Sequence, residues 1–248
     1  MKKFTILFVT LLFAFTSFGQ WSVGGRLGVN FATLTGEYSE NDDSKNGWIT
    51  SFPAIGAIGN YEFTDMISLN AELLFITIGD KTKYSYEGER SSLSEYNYSL
   101  TERYHYIQLP ILAKFSFGSD ISFYGNVGPY CAYKMGGHYK YKEDGHVTKG
   151  RLRFKEDKLD ENDWLFDPET ERRFDFGMYI GGGAGKELGP GRIEADLRLG
   201  IGFLDHNKFE SKEDKPDSYK SFRTTNISLT FAYMYEFGKD KTTRYLDE

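Results

Sequence analysis

Hydrophobic and polar residues alternate with period two along most of this chain, most cleanly in GRIEADLRLGIGF (191–203). Ile193, Ala195, Leu197, Leu199, Ile201 and Phe203 fall on one parity, and Arg192, Glu194, Asp196 and Arg198 on the other. Side chains of a strand point alternately to its two faces, so this segment is a strand with one apolar and one charged face. TNISLTFAYMYEF repeats the pattern, with Ile227, Leu229, Phe231, Tyr233, Tyr235 and Phe237 opposite Asn226, Ser228, Thr230, Met234 and Glu236. Period-two character predicts about eight strands, over roughly 21–34, 51–63, 66–79, 102–117, 120–135, 172–186, 192–204 and 223–237. A helical period is nowhere developed, and past the N-terminal region no apolar run approaches about 18 residues.

The connections alternate in length. EFTDM, FGSD and KELGPG, between the second and third, fourth and fifth, and sixth and seventh strands, carry the Gly, Pro and Asp of tight hairpins. The other four, 35–50, 80–101, 136–171 and 205–222, are long and polar, and all fall at one end of the strands. Compact soluble domains seldom hold several loops longer than about 12 to 15 residues, whereas outer-membrane barrels pair short turns with long loops. The predicted fold is all-β, an eight-stranded antiparallel up-and-down transmembrane β-barrel with short periplasmic turns and long extracellular loops. Closure leaves no strand edge, as a hydrocarbon environment requires.

The N-terminal residues agree with export. Lys2 and Lys3 precede an apolar run over 4–15, with the small residues Ser17 and Gly19 behind it. This predicts a signal peptide at 1–19, a barrel domain at 20–237 and a short polar periplasmic tail at 238–248. The apolar run is too short for a spanning helix, which needs about 20 residues. The destination so read is the outer membrane of a Gram-negative bacterium.

Composition adds three constraints. Aromatics at 17% and 27 glycines among 248 residues favour tightly packed β structure. The net charge of −6 gives no bulk attraction to nucleic acid. A single cysteine, Cys131, excludes an intramolecular disulfide and reads as a free thiol.

If the apolar parity faces lipid, the charged parity fills the lumen. Parity selects Arg26, Glu72, Lys114, Lys134, Asp175, Glu194, Asp196, Arg198 and Glu236 as a lumen ion network of nearly balanced sign. An eight-stranded barrel leaves little more room than its side chains fill, and unpaired charges there are costly, so a plug of salt bridges is expected. Pro110, which lacks a donor, predicts a bulge or a locally broken ladder. Tyr61, Phe63, Phe115, Phe117, Tyr235 and Phe237, near the tight turns, predict an aromatic girdle.

The segments VGGRLGVNFATL, YIQLPILAKF, GNVGPYCAY and DFGMYIGGGAGKEL leading into ADLRLGIGFLD resemble the PorT-like outer-membrane β-barrel proteins, over essentially the whole mature chain. The resemblance implies a porin-like eight-stranded barrel with both termini in the periplasm. It implies little biochemistry, since members mostly have no assigned role and one branch is linked to protein secretion. The chain departs from the usual pattern in the residues that follow Phe237.

Catalytic and ligand motifs are weak. GGGAGKELG lacks the phosphate-loop pattern, with Ile180 where the first Gly belongs and Glu187 in place of Ser or Thr. His105, His138, His146 and His206 show no metal-ligand spacing, and Asp205 beside His206 is the sole arrangement reminiscent of a rim catalyst. EYSENDDSKN and DENDWLFDPETE are acidic but lack calcium-loop spacing. No catalytic, metal or cofactor residue is assigned, and no cofactor is expected.

The expected partners are outer-membrane lipids and, through extracellular loops bearing Tyr84, Tyr86, Tyr96 and Tyr98, a protein. The expected state is a monomer. The function so read is non-enzymatic recognition, adhesion or a secretion-related assembly. The alternatives are a small channel, a rim-located hydrolase or acyltransferase, and a soluble lipocalin-like carrier with an apolar interior.

Overall fold

The structure is a computed structural model, and it describes residues 20–37, 45–86, 96–143, 145–154, 161–165, 171–208 and 220–237. The expected signal peptide and polar tail lie outside the described residues, as do most of the acidic stretch in the first loop and of the fourth loop. Eight long strands form the ring: β1 (Gln20–Glu37), β3 (Ile49–Glu62), β4 (Ile67–Tyr86), β5 (Tyr96–Phe117), β6 (Ile121–Glu143), β9 (Phe174–Leu188), β10 (Gly191–Gly202) and β11 (Lys220–Glu236). Each pairs antiparallel with its neighbours, and β1 closes onto β11 from Ser22↔Glu236 to Glu37↔Lys220. Among the described residues three short strands stand outside the ring: β2 (Lys45–Gly47) on β4, β7 (His146–Arg153) on β6, and β8 (Trp164–Leu165) parallel to β7.

Alternation decides which face turns inward. Leu197, Leu229 and Phe231 are 55%, 41% and 62% exposed, while Asp196 and Arg198, on either side of Leu197, are 1% and 3% exposed. This arrangement inverts a water-soluble barrel, and it contradicts the carrier reading, which needs an apolar interior. Counting from the turn end, the outward apolar band reaches Phe31, Phe52, Phe75, Ile107, Met135, Phe174, Phe203 and Ile227. Beyond it, outward positions on β5 and β6 become polar at His105, Arg103, His138 and Lys140.

The three short connections are the expected turns, and Gly118 and Gly189 take positive φ there, at 103° and 62°. The long connections differ from expectation. Residues 80–86 and 96–101 continue β4 and β5 as a paired ladder, with Tyr84 opposite Tyr98 and Tyr86 opposite Tyr96. Residues 136–143 likewise continue β6, and 137–143 pair with β7. Hydrophobic alternation fades where both faces are polar, although the hydrogen-bonded ladder persists, so pattern alone shortened these strands.

At Pro110 the pairing with β4 lapses between Ala71↔Ile111 and Leu74↔Gln108 without a change of register. A bulge of β5 lies on its other side, in the pairing with β6, where Met135 is skipped between Tyr106↔Lys134 and His105↔Gly136. In the glycine-rich stretch of β9, a Cβ on Gly183 would collide with the Ala195 carbonyl and the Tyr124 hydroxyl. These glycines therefore bring strand and lumen side chains close, and no helix follows them.

Most of the expected girdle is outward: Phe63, Phe115, Phe117, Tyr235 and Phe237 are exposed. Tyr61 is instead covered, with ring centroids 4.7 Å from Trp21 and 4.8 Å from Phe63.

Candidate functional site

The lumen is the most chemically dense region, and its side chains are stacked in tiers because period two sends every second residue of all eight strands inward. At the turn end, Arg192 meets Glu62 at 2.9 Å, Glu236 at 3.4 Å and Glu194 at 3.6 Å. Lys114 pairs with Glu194 and lies 3.9 Å from the centre of the Tyr124 ring. Above this, Arg198 donates twice to Glu72, at 2.8 Å each, and contacts Asp196 at 2.5 Å. Arg26 completes the quartet, 3.3 Å from Glu72 and 3.6 Å from Asp196, and Asn126 donates to Asp196 at 2.9 Å.

A polar and aromatic tier follows. Tyr179 donates to Gln108 at 2.7 Å, and Asn226 and Ser228 both donate to the Asn30 side-chain oxygen, at 3.0 and 2.8 Å. Tyr106, Tyr130, Ile76, Ile78 and Leu112 fill the space beside them. The cavity between Arg26, Tyr179, Arg198 and Thr230 measures about 10 Å³, room for no more than about one water.

Two residues of the parity-selected set have other company. Asp175 accepts from Thr224 at 2.7 Å, Tyr130 at 3.4 Å and the Phe176 N–H at 2.8 Å, so hydroxyls and backbone hold it rather than a cation. Lys134 sits higher, 3.5 Å from Glu171 and 4.2 Å from the Tyr104 ring centre, and donates to His206 at 3.2 Å. The remaining seven, Arg26, Glu72, Lys114, Glu194, Asp196, Arg198 and Glu236, fall into the two tiers described. Arg192, Glu62 and Glu171 also take part but were not singled out from the sequence. For Arg192 the signal was present, since it shares the inward parity of Glu194.

Residues 14–206 match the family described as outer membrane protein beta-barrel domain. The chain belongs to this family. Among curated proteins no match is found. Solved structures similar to this outer-membrane barrel include Ail, the attachment invasion locus protein of Yersinia pestis, at 13% identity and TM-score 0.38, covering 86% of this chain and 98% of that one. The outer membrane protein OprG of Pseudomonas aeruginosa aligns at 10% identity and TM-score 0.42, over 88% and 96%. The outer membrane protease OmpT of Escherichia coli aligns at 10% and 0.29, over 88% and 96%.

The extracellular rim of this outer-membrane barrel holds Asp205 and His206. Asp205 accepts from the backbone N–H of Asn207 and of Phe222, at 3.2 and 3.1 Å, as a loop-forming side chain does. Burial, reinforced by the Lys134 ammonium, keeps the His206 imidazole neutral, and its Nε2 is the acceptor for Lys134. His105 and His138 lie together on the outer wall, their ring nitrogens 3.3 Å apart. Among the described residues no three His, Cys, Asp or Glu side chains converge as metal ligands.

Above the apolar band, burial pushes the Glu102 carboxyl up from 4.5 to about 7, opposed by the hydrogen bond it accepts from Tyr104 at 2.8 Å. The folded barrel therefore binds more protons here than the unfolded chain between these two values. Its stability should fall as pH rises from about 4.5 to about 7 and level off above. Glu102→Gln, which keeps the acceptor for Tyr104, should flatten that part of the profile when urea midpoints are compared across pH. An unchanged slope would remove Glu102 as its cause.

Proposed function

We propose that this protein is a non-enzymatic outer-membrane barrel that works through its extracellular extension in recognition, adhesion or a secretion-related assembly. One observation carries the reading: the lumen is filled by ion pairs and aromatic rings, while β4 to β8 rise on one side of the ring as a continuous platform. A closed lumen offers no route for solute, and a rigid platform presents side chains for contact. The resemblance of YIQLPILAKF and its companion segments to PorT-like proteins supports the secretion-related variant. The ring closes by pairing β1 with β11 of the same chain, so one copy suffices to build the barrel.

The test has two arms. Refolded protein in planar bilayers should give no steady single-channel steps, and such steps would favour the channel reading. A photo-crosslinking residue at Lys142, in intact cells, should trap a discrete protein adduct that is absent when the same residue replaces Asp120 in the short turn at the opposite end of the barrel. Absence of any adduct across the platform would remove the recognition reading. Asp205→Ala with His206→Ala should leave partner capture intact.

A further inference from the structure

We propose that the outward face of β4 to β7, just above the apolar band, binds the phosphorylated headgroup of an outer-leaflet lipid. The proposal rests on the reading of this chain as a membrane-spanning barrel. Cross-strand register brings together residues far apart in sequence. Arg103 lies opposite His138, and His138 opposite Arg151. One pleat further out, Lys81 lies opposite Thr101, Thr101 opposite Lys140, and Lys140 opposite Lys149.

Residues paired across antiparallel strands share a face, so these two rows stand on one surface. It is the outward surface, because Tyr104 and Tyr106, of the opposite parity on β5, are buried in the lumen. The rows border a groove of about 1020 Å³ whose far wall includes Trp48, 51% exposed.

Lys81, Arg103, Lys140, Lys149 and Arg151 all line this groove, and among the described residues none of them forms an ion pair with a carboxylate. Arg103 is instead fixed by donating to the Thr50 carbonyl at 2.9 Å. Two acids share the groove, Glu161 and Asp163, and the Asp163 carboxylate already faces Arg153 at 2.9 Å. The surface therefore carries a large excess of positive charge in a protein whose net charge is −6. Such concentration against the overall sign selects an anion.

Position selects its source. Arg103 is four residues beyond Ile107, the last outward apolar side chain of β5, about 13 Å along a strand. Strand tilt reduces this to about 10 Å along the membrane normal. Long Arg and Lys side chains reach back from that height to the headgroup plane while their stems lie over apolar surface. A lipid held here would keep its acyl chains on Phe75, Ile107 and Met135 and its phosphates on the basic rows. A soluble polyanion would have no use for that adjacency.

The test uses the barrel refolded into nanodiscs of phosphatidylcholine with a tenth of the lipid as diphosphoryl lipid A, and counts by mass spectrometry the lipid retained on extraction. Folding is checked separately by heat-modifiable gel mobility. Wild type should retain diphosphoryl lipid A at about tenfold or more above its bulk fraction, and less of a dephosphorylated analogue. The variant K81Q/R103Q/K140Q/K149Q/R151Q, altered only at lumen-remote positions, should fold but retain it at the bulk fraction.

Equal enrichment in the variant, or none in wild type, overturns the proposal while leaving the barrel intact. Equal binding of soluble inositol hexaphosphate by detergent-solubilised protein, with displacement of the lipid, would assign the site to a free polyanion and also overturn it. Failure of wild type to insert at all would overturn both this proposal and the membrane reading beneath it.

Discussion

Arg198→Leu should lower the unfolding free energy of the membrane-embedded barrel by about 3–5 kcal/mol, the range for breaking a buried ion pair by removing one partner. Arg198 supplies two of the shortest hydrogen bonds to Glu72 and the shortest contact to Asp196. Without it, two carboxylates that are almost wholly buried retain Arg26 as their one ion-pair partner among the described residues, at 3.3 and 3.6 Å, and Asp196 keeps the hydrogen bond from Asn126. The quartet of Arg26, Arg198, Glu72 and Asp196 is neutral as it stands, and the variant leaves it with one excess negative charge.

Neutrality, more than the number of contacts, is what the lumen needs. Glu72→Leu combined with Arg198→Leu should therefore recover most of the loss, because a buried pair replaced by apolar residues is often nearly neutral. Urea titration of single and double variants in liposomes measures this. Additive losses would show that each side chain stabilises independently.

Phe231→Arg should cost about 2–4 kcal/mol in a bilayer, the depth-dependent penalty for a cation near the hydrocarbon midplane. Phe231 is 62% exposed and sits in the middle of β11, six residues before the last described position. In a water-soluble protein a substitution at so exposed a site normally changes stability by no more than about 0.5 kcal/mol. Phe237→Arg, at the turn end of the same outward row, should cost only about 0–1 kcal/mol. The contrast between the two positions is the signature of a hydrocarbon slab, since both side chains are solvent-accessible by geometry alone.

The fold was legible because two periodicities agree. Alternation in 191–203 and 225–237 sets the strand faces, and the alternating short and long connections set the topology. The lumen charges could be chosen by parity, since Arg198 and Glu236 can point nowhere else once Leu197 and Tyr235 face outward. What parity could not supply is height along the axis, which depends on strand stagger. Lys134 and Asp175 share the inward face with Arg198, but stagger lifts them to the tier of Glu171 and His206 or of Thr224 and Tyr130.

The extracellular platform was hidden for a related reason. Above the membrane nothing forces apolar residues to one side, so the ladders through Tyr84↔Tyr98 and Lys140↔Lys149 leave no hydrophobic signature. The basic rows were invisible in the linear sequence because Lys81, Arg103, Lys140 and Arg151 become neighbours only through cross-strand register. Chain closure between β1 and β11 likewise joins residues from opposite ends of the protein.

In this barrel apolar outward residues meet acyl chains, and charged inward ones meet each other. Nitroxide labels placed singly at positions 228 and 229, with Cys131 replaced by serine, test it most directly in reconstituted vesicles. The label at 229 should be accessible to oxygen and shielded from a water-soluble nickel complex, while the label at 228 should be shielded from both. A label at 229 open to the nickel complex, as on a protein surface in bulk water, would contradict it.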